Sequence, residues 1–155
     1  MLIKAGANVN ARTKKLKRTP LHKAGFRGRS LDNDVARPLI AAGAIVNAVD
    51  KFGKTPLHIA VETGDLGVVR DLLKAKAQLE ARSKDGETAL HKAVKNTDFA
   101  VIKLLVAAGA NVKAKTKLGK GVLSLAEDGM FRYPWSKRVI QKQILPYLRR
   151  AGANS

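Results

Sequence analysis

The chain contains no cysteine. That removes disulfide bridges, thiolate metal sites and thiol nucleophiles together, and fits a cytoplasmic setting, with the nucleus or a host cell's cytosol as alternatives. Aromatic residues are scarce, at 5% against 45% hydrophobic residues in all, so a core has to be assembled from Leu, Ala, Val and Ile. Small aliphatic side chains favour closely packed helices. No run approaches the ~18 apolar residues of a membrane span, and Met1-Leu2-Ile3-Lys4-Ala5-Gly6 has too few apolar residues for a secretory leader, so no membrane insertion is expected. Acidic residues are few as well: 12 against 30 Lys plus Arg, a formal +18 over 155 residues. Such an excess draws acidic proteins, nucleic acid or anionic lipid, and says little about fold.

What the chain does have is repetition. Thr19-Pro20-Leu21-His22 recurs as Thr55-Pro56-Leu57-His58 and as Thr88-Ala89-Leu90-His91, with a worn copy at Gly121-Val122-Leu123-Ser124; the last three begin 33 residues apart. A second landmark follows each copy in phase: Leu39-Ile40-Ala41-Ala42-Gly43-Ala44, Leu72-Leu73-Lys74-Ala75-Lys76-Ala77, Leu104-Leu105-Val106-Ala107-Ala108-Gly109-Ala110 and Leu148-Arg149-Arg150-Ala151-Gly152-Ala153. The chain also opens on it, at Leu2-Ile3-Lys4-Ala5-Gly6-Ala7. Thr is a helix N-cap, and Pro at the first helical position loses nothing because its missing N–H would lack a partner there. Leu66, Val69, Leu72 and Leu73 fall at helical spacing among charged residues, predicting an amphipathic second helix. Gly43 and Gly109 stand where a helix ends in the left-handed region; Lys76 takes the same place and should make a less stable turn. Asp50-Lys51-Phe52-Gly53-Lys54 and Lys84-Asp85-Gly86-Glu87 carry turn chemistry between repeats.

These motifs resemble the ankyrin-repeat family, whose 33-residue unit carries Thr-Pro-Leu-His, a helix pair and a Gly-Ala turn. The resemblance implies an all-α repeat fold: an ankyrin-type solenoid of stacked helix-turn-helix pairs with β-hairpin fingers. The whole chain then forms one domain, with a partial repeat at 1–10, repeats at 11–46, 47–79 and 80–112, and an extended, degenerate capping repeat at 113–155. It also implies that Thr19, Pro20, His22, Thr55, Pro56, His58, Thr88 and His91 are framework, the histidines tying neighbouring repeats by hydrogen bonds. The three histidines recur one repeat apart, and helix spacings of ~8–10 Å exceed what one metal ion spans, so no metal site is expected.

Several places depart from the pattern. The first full copy has a longer inter-helix loop at residues 25–34, and Pro38 within its second helix predicts a late start or a bend. Its finger, Lys14-Lys15-Leu16-Lys17-Arg18, lacks the Asp and Gly of its sisters. The last copy carries about ten extra residues ending in Met130-Phe131-Arg132-Tyr133-Pro134-Trp135, whose aromatics fit either an apolar cap over the last helix pair or an interface hot spot.

No convergent carboxylates or histidines and no phosphate-cradling loop are evident, so neither an enzyme nor a cofactor is expected. Charge gives the sharper lead. Residues 1–44 and 111–155 each carry ten Lys plus Arg and two acids, while the two repeats between them carry five basic and four acidic residues each. The resemblance implies a protein–protein interaction scaffold that binds through finger loops and the concave face, and the charge points to an acidic protein as its partner, bound by a monomer or within a longer array. The alternative is nucleic acid or another polyanion bound by the same charge. Candidate contacts on the fingers are Lys14, Lys15, Arg18, Lys51, Phe52, Lys54, Lys84, Lys117 and Lys120.

Overall fold

The computed structural model describes residues 7–25, 35–132 and 134–153. Every regular element among them is helical, and two compact units are formed, Met1–Gln78 and Leu79–Ser155. Helices shorter than ~12 residues are marginal in water on their own. All of these are that short, so caps and burial hold them.

The first unit contains α1 (Pro20–Ala24), α2 (Ala36–Ala41), α3 (Pro56–Thr63) and α4 (Leu66–Lys74). α1 packs on α2 and α3, and α4 on α2 and α3. Thr19 and Thr55 precede α1 and α3 in extended conformation, with proline next. The backbone N–H groups of Thr19 and Thr55 each donate to the Nδ1 of His22 and His58 at 3.2 Å. Histidine thereby fills the reciprocal role that Glu or Gln plays in a capping box. Asp65 caps α4 by accepting from the Val68 N–H at 3.0 Å. Leu21, Leu57, Ile59, Val61, Val69 and Leu72 make the core, all at most 1% exposed. Gly25 ends α1 against α3 so closely that a Cβ there would lie 3.0 Å from the Ala60 nitrogen. Pro38 is the third residue of the six-residue α2, inside a first turn whose N–H groups have no helical partner. The helix therefore starts late rather than bending. The long loop expected at residues 25–34 lies, beyond Gly25, outside the described residues, as does Met1–Gly6.

The second unit contains α5 (Ala89–Lys95), α6 (Phe99–Ala107), α7 (Val122–Arg132), a 3-10 turn at Pro134–Ser136, α8 (Lys137–Val139), a π-helical turn at Ile140–Ile144 and α9 (Leu145–Arg150). α5 packs on α6 and α7, and α7 on the π turn and α9. Thr88 with His91 and Asp98 with Val101 repeat the two caps. Ile140, Ile144 and Leu148, spaced by four and 0% exposed, form the stripe that packs here. Gly129 keeps α7 close to it, since a Cβ would meet Ile140 Cδ1 at 3.3 Å. Trp135 is 78% exposed, so its indole does not serve as the apolar cover. The side chains of Phe131 and Tyr133 lie outside the described residues.

The Gly-Ala landmark has a single geometry. Gly43, Gly109 and Gly152 have φ of +84°, +94° and +91°, and Lys76 adopts +60° in their place. The following Ala44, Ala77, Ala110 and Ala153 donate N–H at 3.0 Å to Leu39, Leu72, Leu105 and Leu148 carbonyls, which closes each helix in a Schellman manner. The fingers are hydrogen-bonded turns, and no strand forms in them among the described residues. Thr13, Asp50, Ser83 and Thr116 donate N–H to the carbonyls of Arg18, Lys54, Glu87 and Lys120 at 2.9–3.0 Å. Their side-chain oxygens accept from the N–H groups of the same four partners. In the first finger Thr13 thus does the work of Asp50, and Lys17, at φ +57°, that of Gly53.

Candidate functional site

The fingers are held on their helices by the histidines. His22 Nε2 lies 3.0 Å from the Lys54 carbonyl and His91 Nε2 3.1 Å from the Ala114 carbonyl. Since each Nδ1 already accepts a threonine N–H, the proton sits on Nε2 and the ring is neutral. Neither nitrogen retains a lone pair for a metal ion. Burial lowers the pKa of both histidines below the ordinary 6.5, and outweighs the opposing pull of the Lys54 and Ala114 carbonyls. Further stitches run from Arg12 Nη1 to the Val49 carbonyl at 3.0 Å, from Asn47 Oδ1 to the Gln78 N–H at 2.9 Å and from Arg82 Nη1 to the Lys115 carbonyl at 2.6 Å. These cross-links fix the positions of the fingers.

In the first unit two fingers are joined by the Lys51 N–H donating to the Leu16 carbonyl at 3.0 Å. Lys14 and Lys15 project into solvent. Arg18 does not: its Nε donates to Asp50 Oδ2 at 3.1 Å, with only 12% of the side chain exposed. Burial opposes ionisation of Asp50, but the N–H groups of Lys54 and Phe52 and the Arg18 guanidinium outweigh it and hold the carboxyl below 3.8. Lys51 Nζ lies 4.9 Å and Lys54 Nζ 6.0 Å from the centre of the Phe52 ring, within cation–π range. Lys54 Nζ is also 2.7 Å from Glu62 Oε1. Arg18 and Lys54 are therefore braces of the finger pair, whereas Lys14, Lys15 and Lys51 are its outward charges.

The second unit joins its fingers the same way, the Lys117 N–H donating to the Asp85 carbonyl at 3.2 Å. Gly86 is required twice over: its φ is +74°, and a Cβ would come within 2.7 Å of the Lys117 nitrogen. A cavity of about 600 Å³ opens between these fingers and α5 and α7. It brings together Lys84, Lys117 and Lys120, and adds Lys95, Asn96, Leu118 and Asp128, which the sequence reading had not singled out. Leu118, at a finger tip, is 85% exposed. Glu87 Oε1 is 2.8 Å from Lys95 Nζ and Oε2 2.6 Å from Lys92 Nζ. Burial raises its pKa, yet the two ammonium groups prevail and hold it below 4.5. Lys120 is paired with Asp128. A signal for the added residues does exist in the sequence, as opposite charges eight apart in three successive repeats: Lys54 and Glu62, Glu87 and Lys95, Lys120 and Asp128.

No group of three or more His, Asp or Glu residues that could hold a metal ion occurs among the described residues, and no helix among them is long and apolar enough to cross a membrane. A family model described as ankyrin repeats, in three copies, matches residues 1–83 and 29–116. Among curated proteins, the chain is 42% identical over 67 residues to the neurogenic locus Notch protein of Drosophila melanogaster, covering 43% of this chain and 2% of that protein. It is 39% identical over 72 residues to human Rabankyrin-5, covering 41% and 6%, and 38% identical over 65 residues to alpha-latrotoxin-Lhe1a of Latrodectus hesperus, covering 42% and 4%. The chain thus spans only a small part of the length of each of these relatives.

Proposed function

The chain belongs to the ankyrin-repeat family, whose members are generally protein–protein interaction modules and typically non-catalytic, and from that premise we propose that it is a binding scaffold for an acidic protein, without catalysis of its own. The cavity of the second unit carries this reading. Lys84 and Lys117 stand exposed at its rim on finger backbones that are hydrogen-bonded to each other. Leu118 beside them offers an apolar contact to the same partner. Fixed cations lose little freedom on binding, so complementary charge is converted into affinity and on-rate rather than into ordering cost. In the first unit Lys14, Lys15 and Lys51 offer the same chemistry. The protein acts in this reading as a monomer or as part of a longer array, in the cytoplasm.

Replacing Lys84 and Lys117 by alanine, with Leu118→Ala as a separate variant, tests it by calorimetry against the partner captured from the native source. The double variant is expected to bind about 10-fold more weakly, with a smaller salt dependence. Undiminished affinity overturns the acidic-partner reading. Arg18→Ala should instead lower the melting temperature, because it leaves buried Asp50 without its cation. Nucleic acid bound by the same fingers is the competing outcome. It requires affinity for mixed DNA or RNA that falls steeply as salt rises.

A further inference from the structure

From Gly129 to Ser155 the chain contains no Asp or Glu and six Lys or Arg. Elsewhere cations alternate in sequence with acids and several are paired with them, as Arg18 with Asp50, Lys54 with Glu62, Lys92 and Lys95 with Glu87, and Lys120 with Asp128. Here they do not. Lys137, Arg138, Lys142, Arg149 and Arg150 are exposed, and the one ion pair formed by the five among the described residues is the long contact of Arg149 with Glu127 at 3.9 Å. Arg138 and Lys142 each stand two residues before a buried isoleucine, Ile140 and Ile144, which places them on the side opposite the buried stripe. The apolar residues of the same segment, Ile140, Ile144, Leu145 and Leu148, are turned inward and buried. One large apolar group remains outside: Trp135, in the turn directly before Lys137, 78% exposed.

Uncompensated cations in a row repel one another and cost stability unless something anionic faces them. We propose that the solvent face of Pro134–Arg150 is a docking surface for an anionic lipid membrane, to which the protein adsorbs without inserting a helix. The shape and chemistry of the face separate this occupant from others. A protein interface needs a desolvated apolar centre with pockets for its anchors, and this face turns its aliphatic side chains away and leaves one indole. A nucleic-acid duplex engages the cations but has its bases already stacked, and a single strand is held by a groove with aromatics for successive bases, of which this face exposes one, Trp135. A bilayer uses both features together. Anionic headgroups meet the Lys and Arg side chains, and an indole, apolar in body with one polar N–H, settles at headgroup depth. This surface is separate in sequence from the finger lysines, and its occupation does not depend on the identity of a protein partner.

The chain has a single tryptophan, so its fluorescence reports this face alone. The full chain is mixed with vesicles of phosphatidylcholine and with vesicles of phosphatidylcholine and phosphatidylserine in equal parts, and both co-sedimentation and the emission maximum are followed. The expected result is binding to the anionic vesicles only, reversed by salt, with a shift of the emission to the blue. The triple variant Arg138→Gln, Lys142→Gln, Arg150→Gln changes only exposed positions and should bind about 100-fold more weakly with an unchanged melting temperature. Lys84→Ala with Lys117→Ala should bind vesicles as the unaltered protein does. A Trp135→Ala variant, which keeps every cation, should lose affinity by about 10-fold. The proposal is overturned by absence of binding at low salt, by binding without a change in emission, by equal binding of the triple variant, or by a blue shift produced by DNA and not by vesicles.

Discussion

Lys76 and Thr97 show what a single position costs when the fold demands a backbone conformation that its side chain resists. Lys76 has φ +60° where the equivalent Gly43, Gly109 and Gly152 are at ease, and Thr97 has φ +55° where its counterpart one repeat earlier is Gly64, at +72°. A β-branched residue in that region is a genuine outlier, and the left-handed conformation costs ~1–2 kcal/mol for a residue bearing a Cβ. Glycine at either site should raise stability by about 1 kcal/mol net of its greater freedom in the unfolded chain, read as a higher urea midpoint at unchanged slope. Gly86→Ala should act the other way and by more, since it combines φ +74° with a 2.7 Å approach to the Lys117 nitrogen. The glycine positions and the consequence of Lys76 were legible in the sequence. Thr97 was not read from its own local sequence, because its left turn shows only through its alignment with Gly64 one repeat earlier.

At the scale of the element, the repeats are held by caps that reach across sequence. His91 accepts from Thr88 and reaches the Ala114 carbonyl; His91→Leu leaves a buried donor and a buried acceptor unmet and should cost about 2–3 kcal/mol in chemical denaturation. Helix pairs, their starts at Thr-Pro and their ends at Gly-Ala could be read from periodicity and capping chemistry, because those signals are local. The braces could not. Arg18 and Lys54 look like outward finger charges in the sequence; the fold sets Asp50 beside Arg18, and the eight-residue spacing of Lys54 and Glu62 signals a pair only once the finger is seen to lie against its helix. For the same reason Lys95, Leu118 and Asp128 came to light only when α5, α7 and the fingers were seen to share a cavity. Exchanging Lys54 and Glu62 for one another preserves the pair, whereas Lys54→Glu alone sets two carboxylates together. The single change should cost about 1 kcal/mol and the exchange recover most of it, as a double-mutant cycle will show.

For the molecule as a whole, acid is the weak side. His22 and His91 are held below 6.5 in the folded state, so the unfolded chain binds more protons as the pH drops through that range. Their contribution is complete above pH 6.5 and is lost as pH falls toward their folded values. Asp50 and Glu87 are held below 3.8 and 4.5, so what they add is complete above those values and is lost below them, with the same sign. The formal +18 gains further positive charge as these groups protonate, which favours expansion. Urea midpoints should therefore fall steadily from about pH 7.5 to about pH 4, with the first decline near the histidine range. A midpoint that is flat across the histidine range would contradict the neutral, Nε2-protonated rings.

The three ion pairs eight residues apart alternate in polarity: Lys then Glu, Glu then Lys, Lys then Asp. Repeats that share one framework risk folding onto the wrong neighbour, and here pairing with the adjacent repeat juxtaposes like charges, Lys54 with Lys95, Glu87 with Glu62 or Asp128, or Lys120 with Lys95. The alternation is thus a register key, dividing repeats that their helices alone would confuse. Exchanging Lys54 and Glu62 erases the difference between the first two of these pairs, so a variant almost as stable as the parent at equilibrium should nonetheless be recovered in lower yield after refolding from denaturant.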